Sequence, residues 1–543
     1  MKASRRPQKI SPARQEQQPD LVRDLRELQK RIAAQDRELR AVRRQLSNFQ
    51  LNGVAQPSAE EPQMVASLPQ TVDELLPPNS RVLVISKGDE NLIRFDSCRG
   101  GHFPQERSGG YAGFYPASSA AAISHLEALR FQGAEYLVVP ATAHWWFETY
   151  PDFERHLERR YAVVDRAPET FTIFSLRSAS SWLQLEEVIN DFKREFNREP
   201  AILNWDCDFR LSQIFPECRW FQPLSTSSDT VPYLDQTIDL VAVSPAHPTR
   251  VNEARRVASE GLILVTSSEP INSAPVLSVE RFPHLRSKET PLVSIIVGQS
   301  HHDLPVERKL AFLQESIPSQ LRCEILIRKV RERFGKQLHK ANKKVRLNGA
   351  SSISSPESAN GDIVVFLGPH TLPLPGWLPS LLRVFSDCAD AGVVGGRLIN
   401  FDGTQNQIGG MVFRDGSVER LGGDEVDPGS PAYGYLREVD VPASTFFATT
   451  RSLLTTTGKA SVLGDMDFYA TAEYCFAARE KGYTIYFEPD CNAIDLAYSL
   501  DPPANGHLFK KRAASFRANF GSILDRYPRP QNKSDSLAGS DNA

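Results

Sequence analysis

The chain has 543 residues, of which 41% are hydrophobic and 24% are charged, and its formal net charge is -3. This length is enough for several domains with buried cores, and the near-neutral charge excludes a polycation built to bind nucleic acid. The seven cysteines are scattered and form no Cys-x-x-Cys pair. That pattern argues against structural zinc and favours a reducing compartment.

The N-terminal region predicts a coiled coil. Residues 1–17 are basic and polar, and we expect them to be disordered. In residues 18–51 apolar side chains recur at heptad spacing from Leu21 to Phe49, with Gln35 at the one polar seam position. The pattern is typical of a coiled coil and predicts a homo-oligomer, although one helix packed on the body of the protein fits it too. Residues 52–78 contain Gly, Pro and Ser, which predicts a linker.

Two α/β modules are expected next. Residues 79–178 alternate strands and helices from Arg81 onward, and residues 180–275 repeat this alternation. In the second module, VPYLDQTIDLVAV and EARRVASEGLILV resemble segments of a class I methyltransferase. The loop after its first strand lacks the glycines that close approach to a nucleoside requires. We therefore predict a degenerate methyltransferase-like Rossmann domain.

Aromatic and glycine-rich stretches follow the strands of the first module. They contain His102, His144, Trp145 and Trp146. These side chains could line a ligand cleft, because the ends of parallel strands are the usual ligand sites of such sheets. Packing of the two tryptophans as a cap on the sheet explains the same residues, and the sequence leaves both interpretations open.

The C-terminal unit, residues 290–527, carries the most specific motifs. The segments GDIVVFLGPHTLPLPGWL, AGVVGGRLINFDGTQNQIGG, YLREVDVPASTFFATTRSLL and DFYATAEYCFAAREKGY follow one another in order. Together they resemble a family-2 glycosyltransferase of the GT-A fold. Residues 528–543 are polar and predict a disordered tail. The predicted fold class is thus α/β and multidomain, with Rossmann-like modules, a C-terminal GT-A-like domain and an N-terminal coiled coil.

The resemblance implies transfer of a sugar from a nucleotide sugar to a glycan or lipid-linked acceptor, in surface polysaccharide synthesis. Such an enzyme holds Mn or Mg on the diphosphate through a carboxylate-containing turn and uses a carboxylate on a late helix as base. Here the turn reads Gly368-Pro369-His370-Thr371. A single imidazole without a carboxylate is a poor ligand set for either metal.

The resemblance also supplies the candidate site residues. The carboxylates that could act as catalytic base are Glu473 and Asp495. The expected substrate-binding residues are His370, Thr371, Lys329 and Trp377. No metal ligands are predicted, and a divalent metal is expected only if the enzyme is active. Because the expected metal and base carboxylates are missing together, we predict impaired catalysis. The alternative is an oligomeric pseudoenzyme that binds glycan or organises active glycosyltransferases.

Residues 328–346 contain nine Lys or Arg and one Glu. This basic stretch could grip phosphate or an anionic glycan, and it could equally be a solvated helix face. No apolar run approaches the roughly 20 residues of a membrane span, so we predict no transmembrane segment and no nucleic-acid partner. The expected location is cytoplasmic, with peripheral attachment at the inner membrane as an open alternative.

Overall fold

The structure is a computed structural model. It describes residues 61–525 except for 168, 181, 197, 206–209, 223–230, 232, 234–235, 267–275, 282–290, 300–305, 319–320, 330–349, 354, 424, 426, 459–462, 464–465 and 497–506. The predicted coiled coil, most of the basic stretch and the polar tail lie outside the described residues, so these stay predictions. Within the described ranges, none of the helices combines the length and the apolar character that a membrane span requires.

Helices and strands alternate through most of the described chain. The α-helices are α1 (Glu61–Leu75), α2 (Ser119–Phe131), α3 (Trp145–Thr149), α4 (Pro151–Arg160), α5 (Leu183–Phe196), α6 (Arg210–Ile214), α7 (Pro248–Val257), α8 (Val306–Ser316), α9 (Trp377–Asp387), α10 (Arg451–Thr456), α11 (Phe468–Glu480) and α12 (His507–Leu524). The strands are β1 (Arg81–Val84), β2 (Arg99–His102), β3 (Tyr136–Pro140), β4 (Tyr161–Ala167), β5 (Phe171–Ala179), β6 (Ala201–Trp205), β7 (Arg219–Phe221), β8 (Ile238–Val243), β9 (Ala258–Thr266), β10 (Val276–Arg281), β11 (Val293–Gln299), β12 (Cys323–Lys329), β13 (Ala350–Ser352), β14 (Ile363–Leu367), β15 (Thr371–Pro373), β16 (Ala391–Asn400), β17 (Gln405–Gln407), β18 (Gly409–Val412), β19 (Val418–Leu421), β20 (Arg437–Glu438), β21 (Phe446–Thr450) and β22 (Thr484–Asp495).

The first module is a five-stranded sheet in the order β2-β1-β3-β5-β4. Strands β2, β1 and β3 are parallel, and β5 runs antiparallel to β3. The linker predicted over residues 52–78 is partly wrong, because it contains α1. Leu68, Val72 and Leu76 recur at helical spacing and bury against Val82 and neighbouring strand residues. That apolar stripe explains why the segment folds onto the sheet.

The second module has the sheet order β10-β9-β8-β6-β7. Strands β7, β6, β8 and β9 are parallel and β10 is antiparallel to β9. The mainly parallel sheet agrees with the α/β alternation predicted from the sequence. The loop at 206–209 is not among the described residues, and the methyltransferase-like interpretation stays a prediction.

The C-terminal module is built on a mixed sheet in the order β13-β12-β11-β14-β21-β16-β22-β15. Strand β21 is antiparallel to both β14 and β16. Helices α10, α11 and α12 cover one face, and α8 and α9 cover the other. The parallel strands β11, β12, β14, β16 and β22 end at one side of the sheet, called here the site edge. In α/β sheets this is the side where ligands usually bind.

The first module packs against the site edge. Phe131 of α2 meets Phe312 of α8 with ring centroids 5.6 Å apart. Phe401, which follows β16, and Ile494 of β22 belong to the same buried cluster as the core of the first sheet. We call this interface the seam. Because one apolar core crosses it, the first module and the site edge are held together by hydrophobic burial.

Candidate functional site

The turn between β14 and β15, residues 368–371, lies at the centre of the site edge. The N–H of Gly368 donates to the carbonyl oxygen of Thr445 (2.7 Å), and the N–H of Leu496 donates to that of His370 (2.9 Å). A Cβ on residue 368 would lie 2.6 Å from the Cβ of Thr445. Glycine is therefore required there for the close approach of two strand ends. The 368–371 turn is pinned by main-chain contacts from both sides.

Lys309 reaches this turn from α8. Its side chain is 7% exposed, and its Nζ donates to the carbonyl oxygens of Gly368 (2.6 Å) and Pro369 (2.8 Å). Sequence reasoning missed this residue. The available signal was its place on the apolar face of α8 beside Leu310 and Leu313, because a lysine on a buried face needs polar partners to be stable.

A small cavity of about 20 Å³ lies beside the ammonium group, with His370, Thr371 and Leu496 on one side. Phe131 of the first module lines it as well. A cavity of this size accommodates about one water molecule. The seam therefore contributes directly to the closure of the site.

The described residues do not fit a divalent metal at this turn. The carbonyl oxygens of Gly368 and Pro369 already accept from Lys309, and an ammonium beside them would repel a second cation. Within the described part of the chain, no three His, Cys, Asp or Glu side chains converge on a possible ion site.

Asp495 stands next to the turn. Its position at the end of β22 is paired with Thr371 on one side and with Asn400 on the other. The Asp495 Oδ2 accepts from the amide of Asn406 (3.3 Å), and the same amide donates to Asn400 Oδ1 (3.0 Å). Of the residues predicted from sequence, the structure thus brings together His370, Thr371 and Asp495, and joins them to two asparagines that were not predicted.

The other three predicted site residues lie elsewhere. Trp377 is fully buried, and its Nε1 donates to Ser316 Oγ (3.1 Å), so the ring connects α9 to α8 within the core and offers no exposed surface to a ligand. Lys329 is the last residue of β12 and pairs with Gln299 at the site edge. Glu473 is half-buried on α11, one of the helices on the face opposite α8.

Glu127 of α2 anchors a buried charge cluster at the seam. Its Oε1 is 2.7 Å from His156 Nε2 and its Oε2 accepts from Arg130 Nε (2.9 Å), while Tyr161 also donates to it. Burial alone would raise the pKa of Glu127, but Arg130 and His156 outweigh it and hold the pKa well below its usual range. Arg130 then donates to Glu315 of α8 (2.8 Å) across the seam.

His125, two residues before Glu127 on α2, is also buried at the seam. Its ring lies 5.3 Å from that of Phe401, between centroids, and its Nε2 accepts from the N–H of Gln105 (3.4 Å). Burial lowers the pKa of His125 to about 4, with Asp402 opposing the shift. The imidazole is therefore neutral at physiological pH and acts as a packing group.

Comparisons with known proteins give partial structural likeness only. No protein-family model matches the chain, and no curated protein matches it. Similar solved structures include GalNAc-T7 with UDP, GalNAc and Mn²⁺, at 13% identity and a TM-score of 0.33, over 46% of this chain and 54% of that one. Another is the mannosyltransferase PcManGT from Pyrobaculum calidifontis with GDP-Man and Mn²⁺, at 13% identity and a TM-score of 0.25, over 47% and 77%. The chain thus spans about half the length of GalNAc-T7, and likeness this low carries no inference about activity.

Proposed function

We propose that the C-terminal module is a GT-A-like glycosyltransferase domain of the family-2 type with impaired catalysis. It would act on a nucleotide sugar and a glycan or lipid-linked acceptor in surface polysaccharide synthesis, at a cytoplasmic site. The order of the motif segments supports this proposal. They form β14 with its turn, then β16, β21 and α11, around one mixed sheet. A turn at the end of a central strand is where such a sheet would receive a nucleotide.

The position of Lys309 is the observation that carries the proposal. A nucleotide sugar brings a diphosphate, and its departure with the nucleotide leaves negative charge that a fixed cation stabilises. The two bonds from its Nζ to the carbonyl oxygens of Gly368 and Pro369 hold the ammonium at the end of the central strand β14. We infer that this ammonium provides the positive charge that a metal would otherwise supply. Asp495, beside the turn, is the carboxylate placed best to accept the proton of the acceptor hydroxyl.

The same geometry supports the proposed impairment. The space beside Lys309 is about 20 Å³, far smaller than the several hundred Å³ of a typical ligand pocket. A diphosphate could enter only if Phe131 or the turn moved. Such a movement would expose apolar side chains that are buried at the seam. The free energy lost in this way would weaken binding of the nucleotide sugar.

The test is titration of the full chain with UDP- and GDP-sugars by calorimetry, in EDTA and in MnCl₂. We expect binding that is the same in both buffers and that weakens at least about tenfold in Lys309→Met, since a charge-assisted contact is lost. Lys481→Met, at the exposed end of α11, is the matched control and should bind as the parent does. Binding that requires Mn²⁺, or that survives Lys309→Met, would contradict the proposal.

The second candidate function is a pseudoenzyme that organises active glycosyltransferases. The apolar seam favours it, because Phe131 and its neighbours cover the site edge. Phe131→Ala removes the ring that lines the cavity and should open the site without touching the 368–371 turn. If neither the parent nor this variant binds a nucleotide sugar while both stay folded and oligomeric by light scattering, the scaffold function is favoured over transfer.

A further inference from the structure

A second cleft, larger than the first, opens where strands β1 and β2 of the first sheet begin. Its volume is about 460 Å³, and its lining includes Arg81, Arg99, Arg177, Gln132, Gly133 and Glu135. Arg81 and Arg99 are the first residues of β1 and β2, so the cleft lies where these strands begin. We call it the arginine cleft. Its lining shares no residue with that of the cavity beside Lys309.

Positive charge is concentrated around this cleft. Arg81 and Arg99 are directly paired in the register of β1 and β2, and like charges in directly paired positions destabilise a sheet. Arg308 of α8 is also near, because a Cβ on Gly133 would lie 3.1 Å from its Nη2. Burial lowers the pKa of Arg81, and the nearby Arg99 and Arg308 lower it further. The lining carboxylate is Glu135, which pairs with Arg177 at 3.2 Å.

The arginine side chains are held in place by main-chain oxygens. Arg99 donates through Nε (3.1 Å) and Nη2 (2.9 Å) to the carbonyl oxygen of Asn79, and Arg81 donates through Nη1 to that of Gln132 (3.1 Å). A guanidinium has five N–H groups, and these bonds use two of Arg99 and one of Arg81. Neutral carbonyls orient the two groups without cancelling their charge. Orientation before binding lowers the entropic cost of holding a ligand.

We propose that the arginine cleft binds a phosphate or diphosphate group. Several guanidinium forks that converge on one space match the multiple oxygens and double charge of a phosphoryl group better than a single carboxylate. The group belongs either to a soluble phosphorylated compound or to the headgroup of a lipid. Such binding would relieve the repulsion between the paired Arg81 and Arg99. The inference stands independently of the function proposed for the 368–371 turn.

The experiment is titration of the full chain with pyrophosphate by calorimetry at constant ionic strength. We expect Arg99→Gln to weaken binding about tenfold, because it removes a bidentate, charge-assisted contact. Arg99→Lys retains the charge without the fork and should give an intermediate loss. Arg255→Gln is the matched control, since Arg255 is exposed to a similar degree and pairs with Glu280 in the second module. Thermal unfolding of each variant checks that it is folded.

Vesicles distinguish the two sources of the phosphoryl group. Cosedimentation with vesicles containing phosphatidic acid, whose headgroup is a phosphate monoester, compared with pure phosphatidylcholine, tests a lipid headgroup, and the pyrophosphate titration tests a soluble ligand. Binding in either arm that Arg99→Gln weakens and Arg255→Gln does not supports the proposal and identifies the source. Absence of binding in both arms, or equal loss in the two variants, overturns it. A loss specific to Arg99 also distinguishes this cleft from any diphosphate bound at Lys309.

Discussion

Arg130 and Lys309 are buried cations on the two sides of the seam, and they are stabilised in different ways. Arg130, 15% exposed, contacts the carboxylates of Glu127 and Glu315, so its charge is compensated within the protein. Lys309, 7% exposed, donates to two main-chain carbonyls of the 368–371 turn, and these acceptors orient its ammonium. The arginine thus joins the two modules through carboxylates, whereas the lysine places a cation at the turn where the proposed diphosphate would bind.

The largest expected effect comes from removing a carboxylate partner of Arg130. Glu127→Gln leaves Arg130 without its buried carboxylate partner, and removal of one partner of a buried ion pair costs about 3 to 5 kcal/mol. We expect the free energy of unfolding, measured with urea, to fall by about this amount. Glu315→Gln removes the exposed partner and should cost less than about 1 kcal/mol. Equal losses in the two variants would mean that the buried contact is not the source of stability.

The second effect concerns pH and His125. Its pKa is about 4 in the folded protein against an ordinary 6.5, so between these values the unfolded chain binds more protons. The free energy of unfolding should therefore fall as pH falls from about 6.5 to about 4, by about 3 kcal/mol over the whole window. Urea unfolding at several pH values between about 5 and about 6.5 measures how the free energy of unfolding depends on pH. This range lies above the pH at which Glu127 titrates.

His125→Gln is the variant that isolates this slope. Burial also lowers the pKa of His144, so part of the pH dependence should persist in the variant. The difference between parent and variant is then the contribution of His125. If the two pH profiles are parallel, the imidazole at the seam does not titrate as its burial implies.

The third effect is the contribution of Lys309 to stability. Lys309→Met keeps an apolar stem of similar length but removes the donor to the carbonyls of Gly368 and Pro369. Carbonyl oxygens that lose their donor in a buried turn cost about 1 to 3 kcal/mol. Part of this cost is offset because the variant no longer buries the ammonium charge. We expect a net loss in unfolding free energy of about 1 kcal/mol, smaller than that of Glu127→Gln. A gain in stability would show that Lys309 is retained at a cost, as a functional residue would be.

Much of the local structure was predictable, because apolar runs and turn residues determine it directly. The apolar run Ile363–Leu367 forms β14, and Gly376, with φ of 87°, immediately precedes α9. Helix α1 was missed because Gly and Pro nearby suggested a linker, although the buried stripe of Leu68, Val72 and Leu76 outweighs them.

The site was less predictable because its essential contacts join distant parts of the chain. Arg130 and Glu315 are 185 positions apart in sequence, and Lys309 meets Gly368 from another element. A motif aligned along one segment shows neither contact. For Trp377 the motif suggested a contact that the fold does not offer. A substrate contact was predicted, whereas the indole is fully buried.

The smallest expected effect on stability belongs to Asp495→Asn. The amide keeps an oxygen that can accept from Asn406, and the position is only half-buried, so the free energy of unfolding should change by less than about 0.5 kcal/mol. If Asp495 is the base, transfer of sugar to an acceptor should fall about 100-fold or more, because general-base catalysis contributes that much. Glu480→Gln, on the exposed end of α11, provides a control for surface charge.

A parallel assay of Glu473→Gln decides between the two predicted carboxylates. A larger loss of sugar transfer in Glu473→Gln than in Asp495→Asn would assign the base to α11 and place the reaction away from the 368–371 turn.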